Sequence, residues 1–102
     1  MRRVVFGKQA QRDLDEIWSH VAHDSINAAE KVADAVERAV GQLALMPGLG
    51  HERLELNARR YRVWSVYSYL IIYRYGTRTL TVVRIVHGAR SPPVVHGEEK
   101  KK

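Results

Sequence analysis

The feature that most constrains this chain is a change of hydrophobic period near its midpoint. Over residues 9–23 the apolar positions are Ala10, Leu14, Ile17, Trp18 and Val21, and spacings of three and four residues put them on one stripe of a helix. Arg12, Asp13, Asp15, Glu16 and Ser19 fill the other face, with Arg12 and Glu16 four apart as a surface pair. Asp24-Ser25-Ile26-Asn27 interrupts the pattern. Asn27, with Glu30 three residues later, reads as a capping box that opens a second helix. The stripe of that helix runs through Ala29, Val32, Ala33, Val36, Val40 and Leu43. Met46-Pro47-Gly48-Leu49-Gly50 stops it, because proline cannot continue a helix and glycine supplies the turn. Beyond this point β-branched and aromatic residues dominate, and residues 61–66, 67–75 and 80–87 read as strands, the last two joined at Gly76-Thr77. Val4-Val5-Phe6 adds a short strand before the helices, ended by Gly7. A short N-terminal strand, a two-helix antiparallel hairpin and then consecutive strands predict the α+β class, with the hairpin packed on one face of an antiparallel sheet.

With 102 residues there is room for one core. Residues 1–91 read as a single domain and residues 92–102, with Pro92-Pro93 and a lysine run at Lys100-Lys101-Lys102, as a flexible basic tail. The absence of cysteine excludes a disulfide scaffold, a thiol nucleophile and a thiolate metal site, and fits a reducing cytosol. Gly7-Lys8-Gln9 breaks the start before any signal-peptide core develops, and the densest apolar run, Tyr69-Leu70-Ile71-Ile72-Tyr73, is too short to span a bilayer. The expectation is a cytoplasmic protein.

The charge is unevenly placed. Residues 1–50 carry six Lys/Arg against seven Asp/Glu, whereas residues 51–102 carry eleven against four. No acidic residue stands between Leu56 and Gly97, a stretch that holds Arg59, Arg60, Arg62, Arg74, Arg78, Arg84 and Arg90. Arginine suits bidentate pairing with carboxylate or phosphate. The plain alternative is a solvated basic face; the sharper reading is a surface for an acidic partner, either nucleic acid or a carboxylate-rich protein segment. Trp64 lies among Arg59, Arg60, Tyr61 and Arg62, a composition that suits RNA stacking, a protein interface or simple packing. Trp18, Leu14 and Val21 read as core or hairpin packing. His20 and His23 are three apart on the first helix, but no third ligand has the right spacing, so no metal is expected. His51, flanked by glycine, reads as a solvated loop residue. No Ser-His-Asp set, phosphate-binding loop or dinucleotide fingerprint occurs.

Several motifs together resemble the RelE/ParE toxin superfamily. Ala10-x-x-Asp13-Leu14-x-x-Ile17-Trp18 is similar to its first-helix signature, and Leu43-Ala44-x-Met46-Pro47-Gly48-x-Gly50 to the close of its second helix. Arg62 stands where these proteins often carry an arginine leading into the sheet. Tyr69-Leu70-Ile71-Ile72-Tyr73-Arg74 resembles the central strand, and Val83-x-Ile85-Val86-His87-Gly88-Ala89-Arg90 the last strand and the turn beyond it. The likeness covers residues 3–91 and leans to the ParE side.

What the resemblance implies is the toxin of a type II toxin–antitoxin system, cofactor-free and held in a hetero-oligomer by a small, partly acidic antitoxin. ParE-like members inhibit DNA gyrase by binding; RelE-like members cleave messenger RNA on the ribosome. Cleavage through the 2′-hydroxyl needs a base, an acid and cations for the phosphorane charge. The central-strand position that carries an arginine in RelE aligns with Leu70, and His96 stands where RelE has a C-terminal tyrosine. His87 and Arg90 are the remaining catalytic candidates. The resemblance therefore implies a gyrase inhibitor, with a messenger-RNA endonuclease and a degenerate, antitoxin-binding member as alternatives. Arg59, Arg60, Arg62, Trp64, Arg74, Arg84 and Arg90 are the expected contacts to antitoxin or target.

Overall fold

The computed structural model describes residues 1–56 and 59–88, with side chains described for 1–52 and 61–88. In chain order it has β1 (Arg3–Phe6), α1 (Lys8–Asp24), α2 (Ile26–Leu45), a single 3₁₀ turn (Pro47–Leu49), β2 (His51–Leu56), β3 (Arg59–Val66), β4 (Tyr69–Tyr75) and β5 (Thr79–His87). The five strands form one sheet in the order β1-β5-β4-β3-β2. β2 to β5 pair antiparallel in sequence order, as their short turns dictate. β1 lies parallel to β5, with Arg3 opposite Thr79 and Phe6 opposite Val82. The sheet is thus mixed, not wholly antiparallel. The reason is topological: the helical hairpin carries the chain across the sheet between β1 and the later strands, and a parallel pair requires such a long crossover.

The hairpin is tighter than a capping box at Asn27 would make it. Ser25 alone separates the helices. Its backbone N–H donates to the Val21 carbonyl and ends α1, while its Oγ accepts from the Ala28 N–H at 3.0 Å and starts α2. Serine serves both ends because its extended backbone (φ −157°) breaks the first helix and aims the hydroxyl at the second. Asn27 lies inside α2 and is exposed.

Ala10 on α1, Val36, Ala39, Val40 and Leu43 on α2, and Ile71, Tyr73, Leu80, Val82 and Ile85 from the sheet form the main core. Leu14, Ile17 and Val32 pack against it, and so does Trp64. On the sheet's other face Tyr61, Val63 and Ile72 form a second buried cluster with Leu70, Val83 and Val86 against it. Trp18 is not core: it is 38% exposed at the margin of the α1 stripe. Asp13, expected on the polar face, is buried at 6% exposure. Three residues after Ala10 and four before Ile17, it falls inside the buried arc. His51 opens β2 and does not lie in a loop, although it is exposed. The run 67–75 divides: Tyr67 and Ser68 form the β3–β4 turn, Tyr67 at φ 53°. No described helix is long and apolar enough to cross a membrane. The tail 92–102 and the boundary at residue 91 lie outside the described residues.

Candidate binding surface

Two polar clusters organise the molecule. The first joins α1 to the last strand. β1 stops pairing where the Gly7 N–H donates to the Val82 carbonyl, so beyond that point no described strand covers this edge of β5. Asp13 fills the gap. One carboxylate oxygen accepts from the Ile85 N–H at 2.9 Å and from Arg84 Nε at 2.7 Å, and the other from Arg84 Nη2 at 3.1 Å. A bidentate arginine–carboxylate pair that also satisfies a buried backbone donor is among the stronger polar arrangements available. Arg84 is thereby engaged within the fold.

The second cluster fixes the connection after α2. The Tyr73 hydroxyl donates to the Pro47 carbonyl at 2.6 Å and accepts from the Gly50 N–H at 2.9 Å. Arg62 adds Nη1 to the Gly50 carbonyl at 2.7 Å. A Cβ on Gly50 would overlap the Tyr73 hydroxyl, which is why glycine stands there. Burial pushes the Tyr73 phenol above its ordinary pKa, a rise partly opposed by the Gly50 hydrogen bond and the nearby Arg62 charge.

Around this second cluster lies an exposed surface. The Arg2 N–H donates to the Ala44 carbonyl and Arg2 Nε to the Gly76 carbonyl, which draws the start of β1, the end of α2 and the β4–β5 turn together. The guanidinium carbons of Arg2 and Arg62 sit 5.3 and 5.9 Å from the centroid of the Tyr75 ring. Leu45 and Met46, which follow Ala44 in the chain, are 63% and 57% exposed. Apolar side chains with arginine-stacked tyrosine are the composition of protein interfaces.

The arginines of the second half do not share one face. Arg62 and Trp64 lie on the helix side of the sheet, while Arg74, two residues from buried Ile72, lies on the other. Arg84 is bound to Asp13. The side chains of Arg59 and Arg60, and the whole of Arg90 and His96, lie outside the described residues. His87, exposed at the end of β5, sets its ring edge-on to Tyr69 at 5.5 Å. Leu70 packs against the apolar cluster of Tyr61, Val63 and Ile72. His20 and His23 are exposed on α1, and among the described residues no three His, Cys, Asp or Glu side chains gather as a metal site. Sequence reasoning missed the roles of Asp13, Tyr73 and Arg2. Only Asp13 left a signal, as an acidic residue on a buried arc.

Over residues 4–92 the sequence matches a family described as the ParE toxin of type II toxin–antitoxin system, parDE. Among solved structures it is similar to one titled "Chromosomal ParDE TA system from P. aeruginosa", at 21% identity and a TM-score of 0.69, over 85% of this chain and 96% of that one. No curated protein matches it in sequence.

Proposed function

Because the chain belongs to the ParE toxin family of type II toxin–antitoxin systems, we propose that it arrests growth by docking on DNA gyrase and is neutralised by a cognate antitoxin. The observation that carries this reading is Leu70. It occupies the strand position where RelE-like nucleases hold a cation, and it packs against Tyr61, Val63 and Ile72. A leucine in an apolar cluster can neither move a proton nor offset phosphorane charge, and loss of one such stabilising group costs about 10²–10³ in rate. Leu45, Met46 and the arginine-stacked Tyr75 supply the kind of surface on which a protein partner gains affinity. Arg62 and Trp64, on the same side of the sheet, extend it, and carboxylates of the antitoxin are the fitting counter-charges. Arg59, Arg60, Arg74 and Arg90 remain proposed contacts on the same charge argument.

The test pairs gyrase supercoiling with ribosome-programmed messenger-RNA cleavage on one purified protein. Inhibited supercoiling with intact messenger RNA is the expected result. Codon-positioned cleavage by substoichiometric protein, lost in His87→Ala, would replace this reading with the endonuclease. Silence in both assays from a protein that still binds antitoxin would mark a non-toxic member.

A further inference from the structure

We propose that the end of the sheet formed by β1, β5 and β4, on the face turned away from the helices, binds the phosphate backbone of duplex DNA. Val4 and Phe6 pack toward the helix-side core, so strand alternation turns Arg3 and Val5 to the other face. Leu80 and Val82 do the same for Thr79 and Thr81, and Tyr73 for Arg74. Register then places Arg3 opposite Thr79 and Arg74 opposite Thr81. Two arginines, on strands separated only by β5, flank two threonine hydroxyls, their backbones about 10 Å apart across the sheet and offset by two residues along it. Arg78 joins them at the rim: it is exposed in the β4–β5 turn, and its carbonyl accepts from the Arg3 N–H at 2.9 Å.

Among the described residues no carboxylate pairs with Arg3, Arg74 or Arg78, in contrast to Arg84. Arg74 is half-buried: its Nε is enclosed and has no hydrogen-bond partner among the described residues, which leaves the exposed part of the guanidinium to meet a ligand. Guanidinium and hydroxyl donors without acceptors match phosphodiester oxygens. The geometry favours a duplex over a single strand. Single strands are held by exposed aromatic rings on which bases stack, yet Tyr61, the aromatic residue on this face beside Arg74, is fully buried. Exposed Tyr75 lies on the opposite face, against Arg2 and Arg62. The site stands apart from Leu70, four residues along β4, and does not depend on the gyrase reading, because its probe is DNA alone.

The experiment is fluorescence anisotropy of the full chain with a labelled mixed-sequence duplex of about 20 base pairs, over a salt series. Three phosphate contacts predict that affinity falls roughly fortyfold between 50 and 200 mM salt. In Arg3→Gln/Arg78→Gln, with one contact left, the same change should cost only about three- to fourfold. Arg74→Gln should also weaken binding, while Arg12→Gln, an exposed charge on α1, should not. No binding at low salt, equal weakening by Arg12→Gln, or tighter binding to a single strand or to polyglutamate would overturn the proposal.

Discussion

Asp13 accepts at short range from two Arg84 donors and the Ile85 N–H, and at 3.4 Å from Gln9 Nε2, and this sets the cost of losing it. Asp13→Asn would leave the Arg84 guanidinium, 16% exposed, without its counter-charge. Breaking a buried pair from one side costs 3–5 kcal/mol; with this residual exposure about 3 kcal/mol is expected, read as a shift in urea midpoint. Asp13→Leu with Arg84→Met should recover part of the loss but not all, because the Ile85 N–H stays unsatisfied. Full recovery would show that the backbone contact contributes nothing. Tyr73 makes a different prediction. Its pKa is raised in the fold, so its neutral form contributes stability below its unfolded value of about 10, and that stability is lost as pH rises through the folded value. Stability should therefore fall above about pH 10, by at most about 1.4 kcal/mol per pH unit from this group. Tyr73→Phe should lower stability at neutral pH, through its two lost hydrogen bonds, and flatten the alkaline decline. An unchanged alkaline slope would assign that decline to other tyrosines.

At the level of elements, the hairpin depends on Ser25 and on the inward face of α2. Ser25→Ala removes the cap to Ala28 and should cost about 1 kcal/mol. Val36 is buried at 1% exposure, so Val36→Asp would place an unpaired charge in the core and should yield no folded protein. Trp18→Ala, by contrast, should change stability by about 1 kcal/mol or less in thermal unfolding, since its ring sits at the margin. The helices and the three later strands were legible because apolar residues recur at helical spacing in the first half and β-branched and aromatic residues dominate the second, even though a bulge shifts the core face of β5 from Val82 to Ile85. β2 was not: His51-Glu52-Arg53-Leu54-Glu55-Leu56 carries the charges of an edge strand, where blocking further pairing outweighs apolar alternation. The Tyr67–Ser68 turn hid for another reason, since a left-handed tyrosine replaces the usual glycine or asparagine. Gly88 carries part of that signal, as a Cβ there would crowd the Ser68 carbonyl to which its N–H donates. The sequence showed a run of arginines but not their partition between two faces, which strand alternation and register decide.

For the whole molecule, the parallel join of β1 to β5 means that contacts far apart in sequence close the sheet. Deleting residues 1–6 would leave the β5 edge unpaired along Thr79–Val82 and uncover the core beneath Val4 and Phe6. The shortened chain should appear as aggregate or higher oligomer in size-exclusion chromatography; a monomer with a cooperative melt would show β1 to be dispensable. β5 is also the last of the described strands in chain order, and it is bonded to β1, to β4 and, through Arg84 and Ile85, to α1. During translation, β1 and α1 are therefore made well before the strand that they join. At 5–20 residues per second the ribosome needs several seconds to travel from Phe6 to His87. Throughout that interval the nascent chain lacks a closed sheet, and its basic surfaces stay incomplete until β5 has been made, a delay within which a partner already present in the cell can meet the toxin as it folds.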